Sequence, residues 1–313
     1  MIICSGEALI DMIPATCGDA CEEGFIPRAG GSVFNTAIAL GRLGANVGFV
    51  SGLSTDMFGE ILEQTLRDSN VDLALCLRAD RPTTMAYVKL TDGNASYLFH
   101  DENSAGRMIT AEDMPEISPD VTAMFFGGIS LAVEPCAEAY AALAEQAGAG
   151  RVVMVDPNIR PTFIPDEPRF RARLDRILRV ADIVKVSDED LGWLVPGDMS
   201  VDDRVAAVLS KGPSIVLVTA GGETARGYLS DGRVIEKTIT PQTIVDTVGA
   251  GDSFNAGFLH SLQEQGLLTR SGIDNLSDAQ MLDALTLGAA VAGVVVSRSG
   301  ANPPWRKELI GVV

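Results

Sequence analysis

Histidine and cysteine are scarce in this sequence of 313 residues. His100 and His260 are the only histidines, which argues against a histidine-rich zinc site and against a histidine-dependent catalytic triad. The five cysteines are odd in number and scattered along the chain, so a disulfide framework is not expected and a reducing compartment fits. We therefore expect a cytoplasmic protein whose chemistry uses other residue types.

Positive charge and long apolar runs are also lacking. The chain has 24 basic and 42 acidic residues, a formal net charge of -18. Nucleic acids and anionic membranes need clustered basic side chains, so we expect neither as a partner. The N-terminus, Met1–Glu7, lacks the basic start of a signal peptide, and the longest apolar run, Leu287–Val296, is too short to span a bilayer. An anionic ligand would need local hydrogen-bond donors against this acidic field.

Apolar runs of strand length alternate with helical patterns along most of the chain. Hydrophobic residues make up 46% of it, enough for one large domain over residues 1–313. Several runs are continuous and typical of parallel strands buried on both faces, namely Thr122–Gly128, Val152–Val155, Ile183–Val186 and Ile215–Thr219. Helical patterns follow at 169–179 and 201–210. The rhythm predicts an α/β fold with a doubly wound, mostly parallel sheet flanked by helices.

Polar residues stand where the predicted strands and helices meet. We expect a first strand within residues 1–12 with Asp11 near its end, where α/β sheets place ligand-binding groups. Gly30 and Gly31 precede a helix predicted from Asn35, and such glycines allow a ligand to approach the backbone. Arg160 follows the strand Val152–Val155 and is a natural donor to a hydroxyl, carboxylate or phosphate.

Residues 83–100 interrupt the strand–helix rhythm. Thr84–Leu90 alternates, Asp92-Gly93-Asn94 forms a predicted turn, and Ala95–His100 returns, which together indicate a β-hairpin. We predict that 83–102 and about 14–28 form a small β lid that excludes water from a transferred group. A hairpin that only decorates the sheet edge fits the pattern equally well. The exposed face of such a lid could pair with its twin and form a homodimer.

The most informative stretch is Asp246–Asp252, which precedes a strongly apolar helix. We predict a short β segment at Thr243–Val245 before it. Glycines where a loop becomes a helix expose the first N–H groups of that helix, an arrangement suited to a phosphate. A carboxylate such as Asp252 would repel the phosphate unless it accepts a proton from the attacking nucleophile. The alternative is a structural turn in which Asp252 caps the helix.

Other phosphate-binding and dinucleotide-binding loops are absent from the sequence. It contains no Gly-x-x-x-x-Gly-Lys-Ser/Thr, no Gly-x-Gly-x-x-Gly after the first strand and no protein-kinase signature. Instead, Ala29–Thr36 and Asp246–Asp252 together resemble the two signatures of the ribokinase (PfkB) family of small-molecule kinases. The resemblance implies a ribokinase-like fold and the ATP-dependent phosphorylation of a hydroxymethyl group. A non-catalytic sensor on this fold would lack the base or the Gly-Ala-Gly loop, and both are present here.

The resemblance also implies roles for individual residues. Asp252 corresponds to the catalytic base, and Gly249, Ala250, Gly251 and Asp252 to the N–H donors that stabilise the transferred phosphoryl group. The residues that correspond to sugar contacts are Asp11, Gly30, Gly31, Asn35, Phe99 and Arg160. Those that correspond to nucleotide contacts are Ser187, Thr219, Gly221 and Gly222, together with Gly249 and Gly251. Ala289 stands where some relatives have an adenine-contacting asparagine.

Two metal ions belong to the same expectation. Asp190 stands where many members have a glutamate that organises Mg²⁺ through water, and Ser187 where they have an asparagine. A monovalent-cation site, such as one for K⁺, is expected at Asp246 and the Val248 carbonyl, with further carbonyls near Val295, Arg298 and Gly300. Both metals are carried over from the family and not worked out from residue spacing.

The sugar is less well specified than the reaction. The stretches Glu7–Pro14, Asp101–Ala105, Asp156–Pro161 and Ser297–Pro304 look most like those of bacterial fructokinases. A 2-keto-3-deoxygluconate kinase shares much of this pattern, and kinases of ribose or nucleosides belong to the same family. Arg160 could hold either a sugar hydroxyl or the carboxylate of a sugar acid, so it does not decide between them.

Overall fold

The computed structural model describes residues 1–17, 22–91, 94–240 and 242–311. Over these residues the strands are β1 (Ile2–Ser5), β2 (Leu9–Cys17), β3 (Glu22–Gly30), β4 (Val47–Val50), β5 (Gly52–Ser54), β6 (Leu77–Ala79), β7 (Met85–Thr91), β8 (Asn94–His100), β9 (Ala123–Gly127), β10 (Val152–Asp156), β11 (Ile183–Ser187), β12 (Ile215–Ala220), β13 (Thr224–Leu229) and β14 (Val234–Thr238). The helices are α1 (Ser32–Leu43), α2 (Met57–Asp68), α3 (Cys136–Ala147), α4 (Glu167–Leu178), α5 (Asp188–Leu194), α6 (Val201–Leu209), α7 (Ala250–Glu264), α8 (Arg270–Asp274) and α9 (Asp278–Val296). Short 3₁₀ turns occur at Ala111–Asp113, Ile129–Leu131, Pro161–Phe163 and Arg306–Leu309.

A large mixed sheet forms the centre of the molecule. Its eight strands run in the order β14-β13-β12-β11-β10-β9-β1-β4, parallel from β12 to β4 and antiparallel at the β13 and β14 edge. The parallel strands are buried on both faces, as continuous apolar runs require. One core cluster packs α1, α7 and α9 on one face, and a second packs α3 and α4 on the other. The arrangement confirms the predicted fold class.

A separate four-stranded sheet contains both segments of the predicted lid. Its order is β3-β2-β7-β8, with β2 antiparallel to β3, parallel to β7, and β7 antiparallel to β8. The turn residues Asp92 and Gly93 lie outside the described residues. The structure shows the four-stranded sheet. That the sheet acts as a lid, and that residues 1–313 form a single domain, stay predictions.

The N-terminal strand prediction was wrong in one respect. Residues 1–12 form two strands in different sheets, with Gly6, Glu7 and Ala8 between them. Asp11 therefore lies on β2 of the four-stranded sheet and not at the end of a core strand. The physical reason is a change of environment, because β1 is buried throughout while β2 is buried only at Leu9 and Ile10 and is partly or fully exposed from Asp11 to Thr16. Helix α1 also begins three residues before the expected Asn35, at Ser32.

The β segment predicted at Thr243–Val245 is wrong as well. This stretch is irregular, and the side chains of Ile244 and Val245 are 67% and 60% exposed. One backbone bond, from the Val245 N–H to the Val296 carbonyl at 2.7 Å, holds it to the end of α9. β-Branched residues favour a strand only where a neighbouring strand can pair with them, and none does so here among the described residues.

Helix α9 is unusual in its composition. Among the described residues it alone is long and apolar enough to cross a membrane, over Asp278–Val296, so the expectation drawn from the shorter run Leu287–Val296 was wrong on length. Part of the helix is buried in the core of the molecule. It packs closely on α7, where Gly257 faces Gly288: a Cβ added at Gly257 would lie 2.8 Å from the Gly288 Cα. Cys4, Cys76 and Cys136 are free thiols. The predicted cytoplasmic location and the predicted lack of nucleic-acid and membrane partners stay predictions.

Candidate active site

A cavity of about 570 Å³ opens where the central parallel strands end. Its walls come from the loops after β1, β9, β10 and β11, from the four-stranded sheet, and from the first turns of α1 and α7. It brings together many of the residues predicted for the site: Asp11, Gly31, Asn35, Phe99, Arg160, Ser187, Asp190, Val248, Gly249, Gly251 and Asp252. The predicted residues that do not line it are Gly30, Thr219, Gly221, Gly222, Asp246, Ala250, Ala289, Val295, Arg298 and Gly300.

The first turn of α7 presents backbone donors to this cavity. Gly249 precedes the helix with a φ of 77°, a left-handed conformation that favours glycine. The N–H of Ala250 donates to the Thr247 carbonyl at 3.3 Å. In contrast, the N–H groups of Gly249, Gly251 and Asp252 have no acceptor among the described residues. They remain available to an anion at the positive end of the helix dipole.

Asp246 anchors the loop that leads to these donors. Its Oδ1 accepts the Val248 N–H at 3.0 Å, and its Oδ2 accepts the Gly300 N–H at 2.9 Å. The carboxylate thus joins the loop before α7 to the segment after α9. The backbone carbonyls of Val295 and Gly300 accept the N–H groups of Arg298 and Asn302. Anchoring the loop is the role of Asp246 that the geometry shows.

Asp252 is a buried carboxylate held by two side chains of α1. Ser32 Oγ donates to its Oδ1 at 2.8 Å, and Asn35 Nδ2 donates to its Oδ2 at 2.9 Å. Burial raises the pKa of Asp252 to about 6, the two hydrogen bonds from Asn35 and Ser32 lower it in part, and the charge of Asp156 raises it. Asn35, expected to hold the sugar, therefore contacts the predicted base as well.

A buried ion pair lies beside the α7 donors, and the sequence prediction did not include it. Lys185 Nζ donates to Asp156 Oδ2 at 2.9 Å, and Asn255 Nδ2 donates to the same oxygen at 2.8 Å. A Cβ added at Gly251 would lie 3.0 Å from Lys185 Nζ, so the ammonium group reaches the helix start. Burial opposes its charge, yet the carboxylates of Asp156, Asp252 and Asp190 raise the pKa of Lys185 overall. A lysine within the apolar run Ile183–Val186 was the signal that could have revealed it.

The end of the cavity nearest the four-stranded sheet is the expected sugar site. Burial and the charge of Asp252 raise the pKa of Asp11 to about 7. Gly30 leaves room for this side chain, since a Cβ there would be 2.2 Å from Asp11 Oδ2. Arg160 Nη1 donates to the Ile159 carbonyl at 3.0 Å. Phe99 lies 4.6 Å from Phe163 between ring centroids, which joins β8 to the 3₁₀ turn after Arg160.

The expected nucleotide residues fall into two groups. Ser187 and Asp190 line the cavity, where Ser187 Oγ accepts the Asp190 N–H at 3.0 Å and Asp190 Oδ1 accepts the Ile159 N–H at 3.1 Å. Thr219 pairs with Ser187 across β11 and β12, and Gly221 and Gly222 follow at the strand end. Ala289, which stands where some relatives have an adenine-contacting asparagine, lines a different cavity of about 390 Å³ beside α9. Gln242 and Gly293 also line that cavity.

The chain is similar to known proteins both in sequence and in structure. A model of the pfkB family of carbohydrate kinases matches residues 1–308. The fructokinase of Rhizobium leguminosarum bv. trifolii is 50% identical over 283 residues, 89% of this chain and 84% of that protein. Fructokinase-1 of Oryza sativa subsp. japonica is 33% identical over 99% of this chain and 95% of its own. The crystal structure of Xylella fastidiosa fructokinase with bound ATP superimposes with a TM-score of 0.91 and 28% identity, covering 99% and 97% of the two chains.

Proposed function

Because the chain belongs to the pfkB family of carbohydrate kinases and is an ATP-dependent sugar kinase, we propose that its substrate is D-fructose and its product fructose 6-phosphate. The observation that carries the proposal is the pairing of a buried carboxylate, Asp252, with free N–H donors on the same helix turn. The curated relatives named as fructokinases, one of them 50% identical, support the choice of sugar.

The geometry supports the following transfer. The 6-hydroxyl of the sugar lies against Asp252, which accepts its proton as the oxygen attacks the γ-phosphorus of ATP. The new bond joins O6 to phosphorus, the bond to the β-phosphate bridging oxygen breaks, and ADP leaves with that electron pair. The N–H groups of Gly249 and Gly251 stabilise the charge on the transferred group. Asp11, Arg160 and Phe99 hold and cover the sugar.

Mg²⁺ fits the acidic side of the cavity. Asp190 and Glu189 line it beside Ser187, and the described residues contain no cluster of three acidic, histidine or cysteine side chains that could hold a metal alone. That donor set suits Mg²⁺, which keeps several waters and takes one or two carboxylates together with substrate phosphates. When bound, the ion would neutralise charge on the nucleotide phosphates. Binding of K⁺ near Asp246 and Val248 remains part of the proposal.

Charge favours fructose over a sugar acid. The cavity is lined by two cations, Arg160 and Lys185, and by six carboxylates, Glu7, Asp11, Asp156, Glu189, Asp190 and Asp252. Lys185 is already paired with Asp156, which leaves Arg160 as the free cation among the described lining residues. A carboxylate on the substrate would meet this acidic surface, and like-charge contacts cost several kcal/mol. Fructose, ribose and nucleosides carry no such charge.

We expect fructose to give the highest kcat/KM, with 2-keto-3-deoxygluconate at least about 10²-fold lower. An ADP-release assay over fructose, ribose, 2-keto-3-deoxygluconate and nucleosides measures this. Asp11→Asn is the matched variant, because it removes one negative charge at similar size. It should reduce the difference in kcat/KM between fructose and 2-keto-3-deoxygluconate. The gap should also narrow below the Asp11 pKa of about 7, where that carboxyl is protonated. If another sugar ranks first, the substrate proposal fails and the kinase assignment stands.

The outer face of the four-stranded sheet fits a homodimer. Phe25 and Leu98 lie on the face opposite Asp11 and are 48% and 62% exposed. Tyr87 packs between them, with its ring 5.6 Å from that of Phe25 and its backbone opposite Leu98. An apolar face of this kind is a typical protein contact.

Leu98→Lys should convert a dimer into a monomer in size-exclusion chromatography with light scattering, because it places a charge in the apolar contact. Lys211→Met, which changes a surface lysine paired with Asp175, is the control and should leave the oligomeric state unchanged. A wild-type protein that is monomeric at micromolar concentration, or a Leu98→Lys variant that stays dimeric, would contradict the proposal.

A further inference from the structure

Glu7 is a buried carboxylate that the transfer described above does not use. It lies between β1 and β2, lines the cavity and is 7% exposed. No Lys, Arg or His in the described part of the chain forms an ion pair with it. Burying an unpaired carboxylate is costly, and burial raises the pKa of Glu7. A residue kept in such a position needs a compensating interaction.

Two backbone donors provide that interaction. Glu7 Oε1 accepts the Ser32 N–H at 3.0 Å, and Oε2 accepts the Ser130 N–H at 3.3 Å. Ser32 is the first residue of α1, whose N-cap, Gly31, makes no side-chain capping bond. Glu7 therefore supplies, from a different segment, the acceptor that a capping side chain usually gives to a helix start.

Two glycines make room for Glu7, one beside its carboxylate and one beside its backbone carbonyl. Gly128 has a φ of 68°, and a Cβ added there would lie 1.9 Å from Glu7 Oε1. Gly31 has a φ of 110°, and its Cβ would lie 3.0 Å from the Glu7 carbonyl oxygen. A side chain at Gly128 would displace the Glu7 carboxylate. The position of Glu7 thus depends on two glycines with positive φ as well as on its hydrogen bonds.

Ser32 connects Glu7 to the base. Its N–H donates to Glu7, and its hydroxyl donates to Asp252 Oδ1 at 2.8 Å. Asn35, within the same first turn of α1, donates to Asp252 Oδ2 at 2.9 Å. We propose that Glu7 is a positioning residue: by anchoring this turn it fixes Ser32 and Asn35, and through them the Asp252 carboxylate. The inference rests on the proposed role of Asp252 as the base.

The first test compares Glu7→Gln with Asp182→Asn. Glutamine keeps the size of Glu7 but turns an NH₂ group toward one of the two N–H donors. We expect kcat to fall by about 10- to 10²-fold, the scale of a misplaced reacting group, with the KM for ATP within about 2-fold. Asp182 is a buried carboxylate that does not line the cavity. Its Oδ2 accepts the Val153 N–H at a distance of 2.8 Å. Asp182→Asn should lower Tm and leave kcat unchanged.

A double-mutant cycle tests whether Glu7 acts through Ser32. In a Ser32→Ala background, Glu7→Gln should cost less in kcat than it does in the wild type, because the route through the Ser32 hydroxyl is already lost while the route through Asn35 remains. The same loss in both backgrounds overturns the proposal, as does a kcat loss equal to that of Asp182→Asn. If Glu7→Gln does not fold, Glu7→Asp, which keeps the charge but is one methylene shorter, takes its place in the cycle. Asp252→Asn, measured in parallel, tests the base itself, so the two failures can be told apart.

Discussion

Asp252→Asn is expected to lower kcat by at least about 10²-fold while nucleotide affinity stays near that of the wild type. Asparagine keeps the shape of the side chain but cannot accept the proton of the sugar hydroxyl. The N–H groups of Gly249 and Gly251, which contact the nucleotide phosphates in the proposed reaction, remain in place. Turnover at saturating fructose and ATP, together with the Kd of ADP from calorimetry, measures both quantities.

The pH dependence of kcat/KM is a second test of the role of Asp252. A carboxylate base works only when ionised, and the pKa of Asp252 is raised to about 6. Wild-type kcat/KM should therefore fall as the pH drops through about 6, well above the range of an ordinary aspartate. The Asp252→Asn variant should have no such fall. Near-normal turnover, or an unchanged acid limb in the variant, would remove Asp252 from the role of base.

Stability should change in the opposite direction from activity. The pKa of Asp252 is about 6 in the folded protein and near 3.8 in a free side chain. Ionisation is thus less favourable in the folded state, at a cost of about 3 kcal/mol above pH 6 that vanishes below pH 3.8. Asparagine avoids this cost but turns an amide NH₂ toward the Asn35 or Ser32 donor. Tm at pH 8 should accordingly be no lower in the variant than in the wild type.

The loop at Asp246–Asp252 could be predicted because its information is local. The two glycines, the following apolar helix and the carboxylate lie within one short stretch, and the structure places Gly249, Gly251 and Asp252 on one cavity. The parallel sheet was equally accessible, since strands buried on both faces read as continuous apolar runs.

The partners of Asp252 could not be predicted in the same way. Ser32 donates to it from 220 positions away, and only the packing of α1 against α7 brings the two together. It could not be predicted either that Asp11 belongs to the four-stranded sheet. Only the short break from Gly6 to Ala8 separates the core strand β1 from β2. At Ile244, a β-branched residue favoured a strand that has no partner among the described residues.

Lys185→Met is the second variant with a large expected effect. Lys185 Nζ lies 2.9 Å from Asp156 Oδ2, and a Cβ added at Gly251, at the start of α7, would lie 3.0 Å from it. An ammonium group has three N–H donors, and the described residues use one of them here. The remaining donors can reach phosphate oxygens at the anion site, where lysine acts as a point charge. We expect a loss in kcat of about 10²- to 10³-fold, the scale of removing one oxyanion donor, with the Kd of ADP within about 3-fold.

A structural explanation of the same loss must be separated from a direct one. Methionine leaves Asp156 as a buried carboxylate without its cation, which by itself is destabilising by about 3–5 kcal/mol. Asp156→Asn combined with Lys185→Met removes both charges, and Asn255 can still donate to the asparagine oxygen. If Lys185 stabilises the transferred phosphoryl group, the double variant regains Tm but not kcat. If Lys185 only neutralises Asp156, the double variant regains both, and the electrostatic role at the anion site is excluded. Lys211→Met, which removes an exposed partner of Asp175, should change neither quantity.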